Sequence, residues 1–363
     1  MGTIFNYITK YADNTFNEMP FNEIDAVMLS AIAYVDFSKI VNNDNIEVDL
    51  GYALEKFITR TDARKYVKKG FLNQDLLRMS KMIKDKIRYR NIKLKNYVYI
   101  LTKEEQFSAL TMILPDKTKI IAYEGTDHNL VSWEEDFAMF YKYPVPADVD
   151  AIKYAKNNIN LFDKKVILLG HSKGGHLAMT ASAFSPWYIR MKISKVYNFD
   201  GPGFRARELE SRKYQLMERK LEYIVPDFSF FGMLLRHNKK ARVINSYKKD
   251  IYAHSMYNWE VQGTKFVEEP LSTISRNLSK SIIMWLEMHD DQEREAIVTD
   301  IFDYLKKSGI SYIGDAVKIK YVVNLIKNID ELDDETKLLI KQFVKFNIKY
   351  HLDNRTDNID LDK

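Results

Sequence analysis

Twelve residues constrain this chain more than any others: Lys165-Val166-Ile167-Leu168-Leu169-Gly170-His171-Ser172-Lys173-Gly174-Gly175-His176. An apolar run breaks on a glycine, a serine follows, and two more glycines lead into the helix-compatible Leu177-Ala178-Met179. Gly170, Ser172 and Gly174 form G-x-S-x-G, the pattern of a sharp strand-to-helix turn that lifts a serine hydroxyl above a sheet. The glycines suit it because strand and helix crowd the turn and a Cβ there clashes. The five residues alone fit a packing turn equally well; the strand before and the helix after are what raise the functional reading.

The surrounding texture alternates. Lys95 to Leu101, Gln106 to Leu114 and Lys119 to Tyr123 are short runs rich in Ile, Tyr and Val, separated by turn signals such as Pro115-Asp116-Lys117. They predict consecutive strands. Asn129 to Tyr141 and Asp148 to Phe162 read as helices. After the elbow, Lys195 to Phe199 and Ala241 to Asn245 read as strands, and Leu221 to Val225 as a further short strand candidate. Strands and helices in alternation predict an α/β fold with a mostly parallel central sheet and antiparallel entry strands.

Extra helices are expected at both ends. Phe21 to Phe37 places Ile24, Val27, Met28 and Ala31 at helical spacing, with Asp25 and Asp36 as solvent or capping residues. Tyr52 to Arg90 is basic, with Leu72, Leu76, Leu77 and Met79 at helical spacing, and its charges read as a solvated face. Asn42 to Asp49 reads as a loop. From Thr273 the stripes Leu278, Ile282, Trp285, Leu286 and Ile297, Ile301, Tyr304, Leu305 predict more helices, and Lys318 to Tyr350 one or two others. The expected organisation is one domain over 1–352, with a core at about 92–262, helices at 21–90 and 273–350, and a frayed tail at 353–363.

Composition narrows the function classes. With 46% hydrophobic and 29% charged residues a large core is expected. A net charge of +5, from interleaved charges, does not suggest a nucleic-acid binder but allows peripheral contact with an anionic membrane surface. Cysteine is absent, which excludes disulfides, thiolate chemistry and cysteine-type zinc sites. No signal-peptide pattern is read in Met1 to Pro20, and no apolar run approaches the roughly 18 residues of a membrane span. The expectation is a cytoplasmic protein. Gly170 to Gly175 lacks the G-x-x-x-x-G-K-[ST] of a phosphate loop, and no H-E-x-x-H is present, so no cofactor and no metal are expected.

A serine hydroxyl needs a base, and the base needs an orienting acid. In the α/β arrangement both follow the serine, acid first. Five of the seven histidines lie after Ser172. His176 points away from the hydroxyl on a helical reading; His289 and His351 lie in the C-terminal helical part. His254, in the loop after the last clear strand, is the expected base, ahead of His237. For the acid, Asp200 ends the strand after the elbow helix, with Gly201-Pro202-Gly203 behind it; Asp227, after the next strand, is the alternative. Asp250 reads as a turn or cap. An oxyanion needs two preorganised N–H donors. Lys173 supplies one by position, and the loop at Gly125-Thr126 the other, with the Thr126 hydroxyl able to assist.

The segments FNEIDAVMLSAIAYVDF, QFSALTMIL, YEGTDHNLVSWEEDF, GHSKGGHLA, YNFDGPGF, VPDFSFFGMLL and HSMYNW, spread over about 21–259, together resemble an uncharacterised bacterial family of α/β-hydrolase-type proteins related to the fungal-type (class 3) lipases. The resemblance implies an α/β-hydrolase fold, Ser172 as nucleophile, an aspartate from DGPG or VPD, and His254. Where the lipase relatives carry Arg-Gly-Thr this chain has Glu124-Gly125-Thr126, which alters the charge beside the oxyanion donors and leaves the backbone intact. The leading function is hydrolysis of carboxylic esters, of lipid or acyl type. Phe137 to Tyr143 and Phe228 to Leu235 are candidate walls of an acyl pocket, and Phe204 to Lys220 a candidate cap. The same three residues suit a thioesterase, acyltransferase or peptidase, and a catalytically silent fold used as a binding module is the reading from another class.

Overall fold

The computed structural model describes residues 1–42, 44–60, 73–127, 129–309 and 333–339. The expectations for Leu72, for His351, for the tail at 353–363 and for most of 318–350 lie outside the described residues.

Eight strands form one sheet in chain order: β1 (Val48–Asp49), β2 (Lys93–Leu101), β3 (Gln106–Ile113), β4 (Lys119–Tyr123), β5 (Val166–His171), β6 (Ile193–Phe199), β7 (Leu221–Pro226) and β8 (Arg242–Ile244). Pairing is antiparallel from β1 to β4 and parallel from β4 to β8. This is an α/β-hydrolase-like arrangement, with the antiparallel entry strands expected. The short β1 falls inside the stretch read as loop, where it pairs with Lys93 and Leu94.

Side chains alternate across the central strands as the two-residue period requires. Ile120, Ala122, Ile167 and Leu169 face one apolar cluster; Ile121, Tyr123 and Leu168 face the other. Every parallel step moves one strand in the same direction. Crossovers of one hand then put all the connecting helices on one face. Pro146–Asn158, Lys173–Phe184 and Arg212–Glu218 do share that face. The chain before β2 therefore has to cover the other. Helices Ile4–Tyr11, Glu23–Ile32, Leu50–Thr59 and Asn73–Ile83 do so, through Ile8, Val27, Leu54 and Met79 among others.

Those helices are pinned by a buried ion pair. Asp25 bonds Arg88 Nε at 2.8 Å and Nη2 at 2.6 Å, Tyr89 Oη at 2.8 Å, and the Asn22 amide at 3.0 Å. Asp25 is thus a cap, as one of the sequence readings has it, but a fully buried one, and Arg88 departs from the solvated face expected of its segment. The cause is long-range: the two residues are far apart in sequence and complete each other only after the helices fold onto the sheet.

The charged stretch 204–220 packs down as well. Leu209, Tyr214 and Met217 are buried in the cluster that holds the Lys173–Phe184 helix. A third cluster joins Leu130, Phe140, Phe230, Phe231 and Leu235 to the C-terminal helices Thr273–Met288 and Asp291–Lys307, through Ile282, Trp285, Val298 and Phe302.

Candidate active site

β5 is buried throughout and ends at His171. The next residue, Ser172, has φ 59° and ψ −135°, a conformation that a residue with a Cβ rarely adopts. Its neighbours hold it there. Ser172 N donates to Phe199 O at 2.9 Å, and Gly175 N to Ser172 O at 2.8 Å. A Cβ on Gly170 would lie 2.1 Å from the Gly174 carbonyl, and one on Gly174 2.1 Å from Tyr123 O. Both glycines of the motif are therefore required by close backbone approach.

Asp200 follows the end of β6, with φ 52° and its N–H on Ile224 O at 2.8 Å. Its carboxylate is fully buried. Oδ2 lies 2.6 Å from His254 Nδ1; Oδ1 accepts from Ser229 Oγ and, at 3.1 Å, from Gly232 N. Burial pushes Asp200 up to about 7 against the opposing pull of Ser229 and Gly232. His254 ends the turn Asp250–His254 beyond β8. Its ring lies between those of His171 and Phe231, at centroid distances of 4.3 and 4.2 Å. Burial lowers His254 to about 3, so the imidazole is neutral near neutral pH. With Nδ1 donating to the carboxylate, the bare nitrogen is Nε2. No hydrogen bond joins it to Ser172 Oγ among the described residues.

The other candidates lie elsewhere. Asp227 accepts from Ser246 N at 3.2 Å and pairs with Lys249. His237 stacks on Tyr223 at 3.9 Å. His176 engages Gly203 O at 2.8 Å and Asp148 at 3.1 Å, and His289 lies 3.2 Å from Asp333.

On the oxyanion side, Gly125 packs so tightly that an added Cβ would meet Ser172 Cβ at 3.0 Å. The Thr126 hydroxyl donates to Asp136. The amide N–H groups of Thr126 and Lys173 have no acceptor among the described residues. Lys173 Nζ is fully buried; it pairs with Glu135, lies 3.6 Å from Asp136 and donates to Gln106 O at 2.9 Å. Burial, reinforced by Asp127, raises Glu124 to about 8; burial also raises Asp136, to about 6, against Lys173 and Thr126.

A cavity of about 20 Å³ lies against Ser172 and Lys173, lined by Trp133, Asp136, Phe137, Phe140, Phe231 and Leu234 among others. That is room for about one water. Phe137, Phe140 and Phe231 come from the two segments singled out in the sequence, and Trp133 lies outside both. No residue of 204–220 lines it, and the C-terminal helices back two of its walls, with Phe302 on Phe137 at 5.6 Å and Trp285 on Phe140 at 5.9 Å.

Sequence reasoning missed Ser229, Gly232, Glu135, Asp136 and the Lys173 side chain. The only signals available were serine and glycine in the VPDFSFFG segment and paired acids in an otherwise apolar helix. Among the described residues no helix is long and apolar enough to cross a membrane.

No curated protein matches the chain. Solved structures of lipases are similar to it at a low level. The crystal structure of M37 lipase is 14% identical, over 48% of this chain and 67% of that one, with a TM-score of 0.32. The Rhizomucor miehei lipase propeptide complex is 12% identical, over 62% and 86%, with a TM-score of 0.34. The family comparison reaches further, since its match over residues 83–303 runs from just before β2, through β8 and the His254 turn, into the C-terminal helices, and the chain belongs to that family, the lipase-like Mbeg1-like family.

Proposed function

We propose that this chain is a serine hydrolase of carboxylic esters, of lipid or acyl type, acting through Ser172, His254 and Asp200. The observation that carries the reading is the 2.6 Å contact between buried Asp200 and His254 next to a serine held at positive φ. In the proposed reaction His254 Nε2 takes the Ser172 proton as Oγ attacks the ester carbonyl. The oxyanion is received by the Thr126 and Lys173 N–H groups. Collapse passes the proton to the leaving alcohol, and a water, activated by the same imidazole, cleaves the acyl-enzyme. The Thr126 hydroxyl, held by Asp136, steadies its own amide in this scheme. The aromatic walls beside Ser172 support an apolar acyl group. We assign residues 1–352 to one domain and the protein to the cytoplasm. Thioester, acyl-transfer and amide chemistry would use the same residues.

The test is labelling of the wild type by a fluorophosphonate probe and cleavage of short p-nitrophenyl esters, both lost in Ser172→Ala. A folded wild type that takes no label sinks the proposal. The small cavity and the missing Ser172–His254 bond favour a second reading, a silent fold that binds a partner. Failure to label together with a co-purifying partner would select it.

A further inference from the structure

Tyr34 closes the turn after the helix Glu23–Ile32, far in sequence from Ser172. Its side chain is nonetheless at the site. Its hydroxyl lies 3.0 Å from His171 Nδ1 and 3.3 Å from His171 O. Gly125 packs directly against it. A Cβ on Gly125 would lie 2.1 Å from this hydroxyl, so the two are in close register. On its far side the His171 ring reaches His254, with Nε2 2.8 Å from the His254 carbonyl oxygen.

The tautomer of His171 follows from its partners. A carbonyl only accepts, so His171 Nε2 carries hydrogen. Burial, reinforced by the His254 ring beside it, lowers His171 to about 3, so the imidazole is neutral. Nδ1 is then bare and accepts from the Tyr34 hydroxyl, whose proton also faces the His171 carbonyl oxygen at 3.3 Å. One hydroxyl thus ties together the loop of the oxyanion donors, the strand end that presents Ser172, and the turn that carries His254.

We infer that Tyr34 is a positioning residue for the Ser172 site, setting through the single neutral tautomer of His171 the separation between the His254 turn and the Gly125-Thr126 loop. The inference rests on the serine hydrolase reading above. It keeps the Thr126 and Lys173 amides as the oxyanion pair, with Gly125 packed against the Tyr34 hydroxyl.

Tyr34→Phe removes only the hydroxyl and keeps the ring. With p-nitrophenyl butyrate, and rates normalised to the fluorophosphonate-titrated site, kcat falls about 10- to 100-fold while KM moves less than about twofold, as expected of misplaced rather than missing groups. Normalisation removes any loss that is only unfolding. In ¹⁵N NMR of the imidazoles, wild-type His171 is the Nε2–H tautomer from pH 5 to 8, and the variant loses that single tautomer. A labelled wild type beside a Tyr34→Phe with unchanged kcat per titrated site overturns the role of Tyr34, as does an Nδ1–H tautomer for His171. A wild type that takes no label sinks the hydrolase reading and this role with it.

Discussion

Ser172 has a histidine before it and a lysine after it, and the two lead into unlike networks. His171 leads to Tyr34, the His254 carbonyl and, through His254, to Asp200. The links are hydrogen bonds, and both imidazoles are held neutral by burial. Lys173 leads to Glu135 and Asp136, and through Asp136 to Thr126. There the links to Lys173 are between formal charges, with Lys173 and Glu135 both out of solvent, and a hydroxyl hydrogen bond completes the path to Thr126. Groups that must exchange a proton need similar proton affinities and small reorganisation. Groups that only hold a frame gain from opposite charge. On the proposed reading the first network moves a proton, and the second keeps a loop and a helix in place. Changes on the His171 side should therefore cost rate, and changes on the Lys173 side stability.

The largest effect expected from this contrast is that of Asp200→Asn. The amide keeps an oxygen for Ser229 and Gly232 but presents N–H to His254 Nδ1. That forces hydrogen onto Nε2, where the Ser172 proton has to go. Ester cleavage should fall by about 10⁴-fold, as for the wrong imidazole tautomer in other triads. The denaturant midpoint should stay within about 1 kcal/mol of wild type, since the exchange also relieves the burial of a carboxylate. A variant that loses stability and keeps its rate would break the comparison.

Lys173→Met probes the other network and is next in size. It leaves Glu135 buried with only the Gln106 and Ala147 amides, at 3.1 and 2.9 Å. Removing one partner of a buried pair costs about 3–5 kcal/mol, which urea denaturation would read. The residue's amide stays in place, so the remaining folded protein should label with the probe at close to the wild-type rate per folded site. Labelling that collapses while stability holds would assign the lysine to the chemistry instead.

The contrast also explains what was legible in the sequence. Apolar runs bounded by turn residues mark β4 and β5 because these strands are buried on both faces, and that pattern is local. Asp200 and His254 could be placed because a strand end and a following loop are local too. The choice between Asp200 and Asp227 was not local. It depends on Ser229 and Gly232 folding back onto Asp200, and on Lys249 and Ser246 occupying Asp227. Lys173 gave no sign of its burial, because the second variable position of G-x-S-x-G tolerates any side chain and its partner Glu135 lies on a helix 38 residues earlier. Tyr34 and Arg88 were hidden for the same reason. Each acts on residues brought near only when the N-terminal helices cover the sheet face that the crossovers leave bare.

Glu124 tests the border between the two networks, with the smallest expected effect. It precedes Gly125, which packs against the Tyr34 hydroxyl, and it is buried near Asp127, Asp36 and Lys173. Its folded pKa, about 8, is above the ordinary 4.5. Between those values the unfolded chain has released the proton and the folded one has kept it. Wild-type stability from this group is then full below about pH 4.5 and is lost as pH rises to about 8. His171 and His254 act the other way, because their lowered values make stability fall as pH drops from 6.5 toward 3. Comparing Glu124→Gln with wild type cancels the histidines. The stability difference in favour of the glutamine should grow from pH 5 to 8, by on the order of a few kcal/mol, and level off above it. Thermal melts across that range read it directly. A difference that does not change with pH would mean that Glu124 is already ionised in the fold and belongs with the charged frame of Lys173 rather than with the neutral groups around Tyr34.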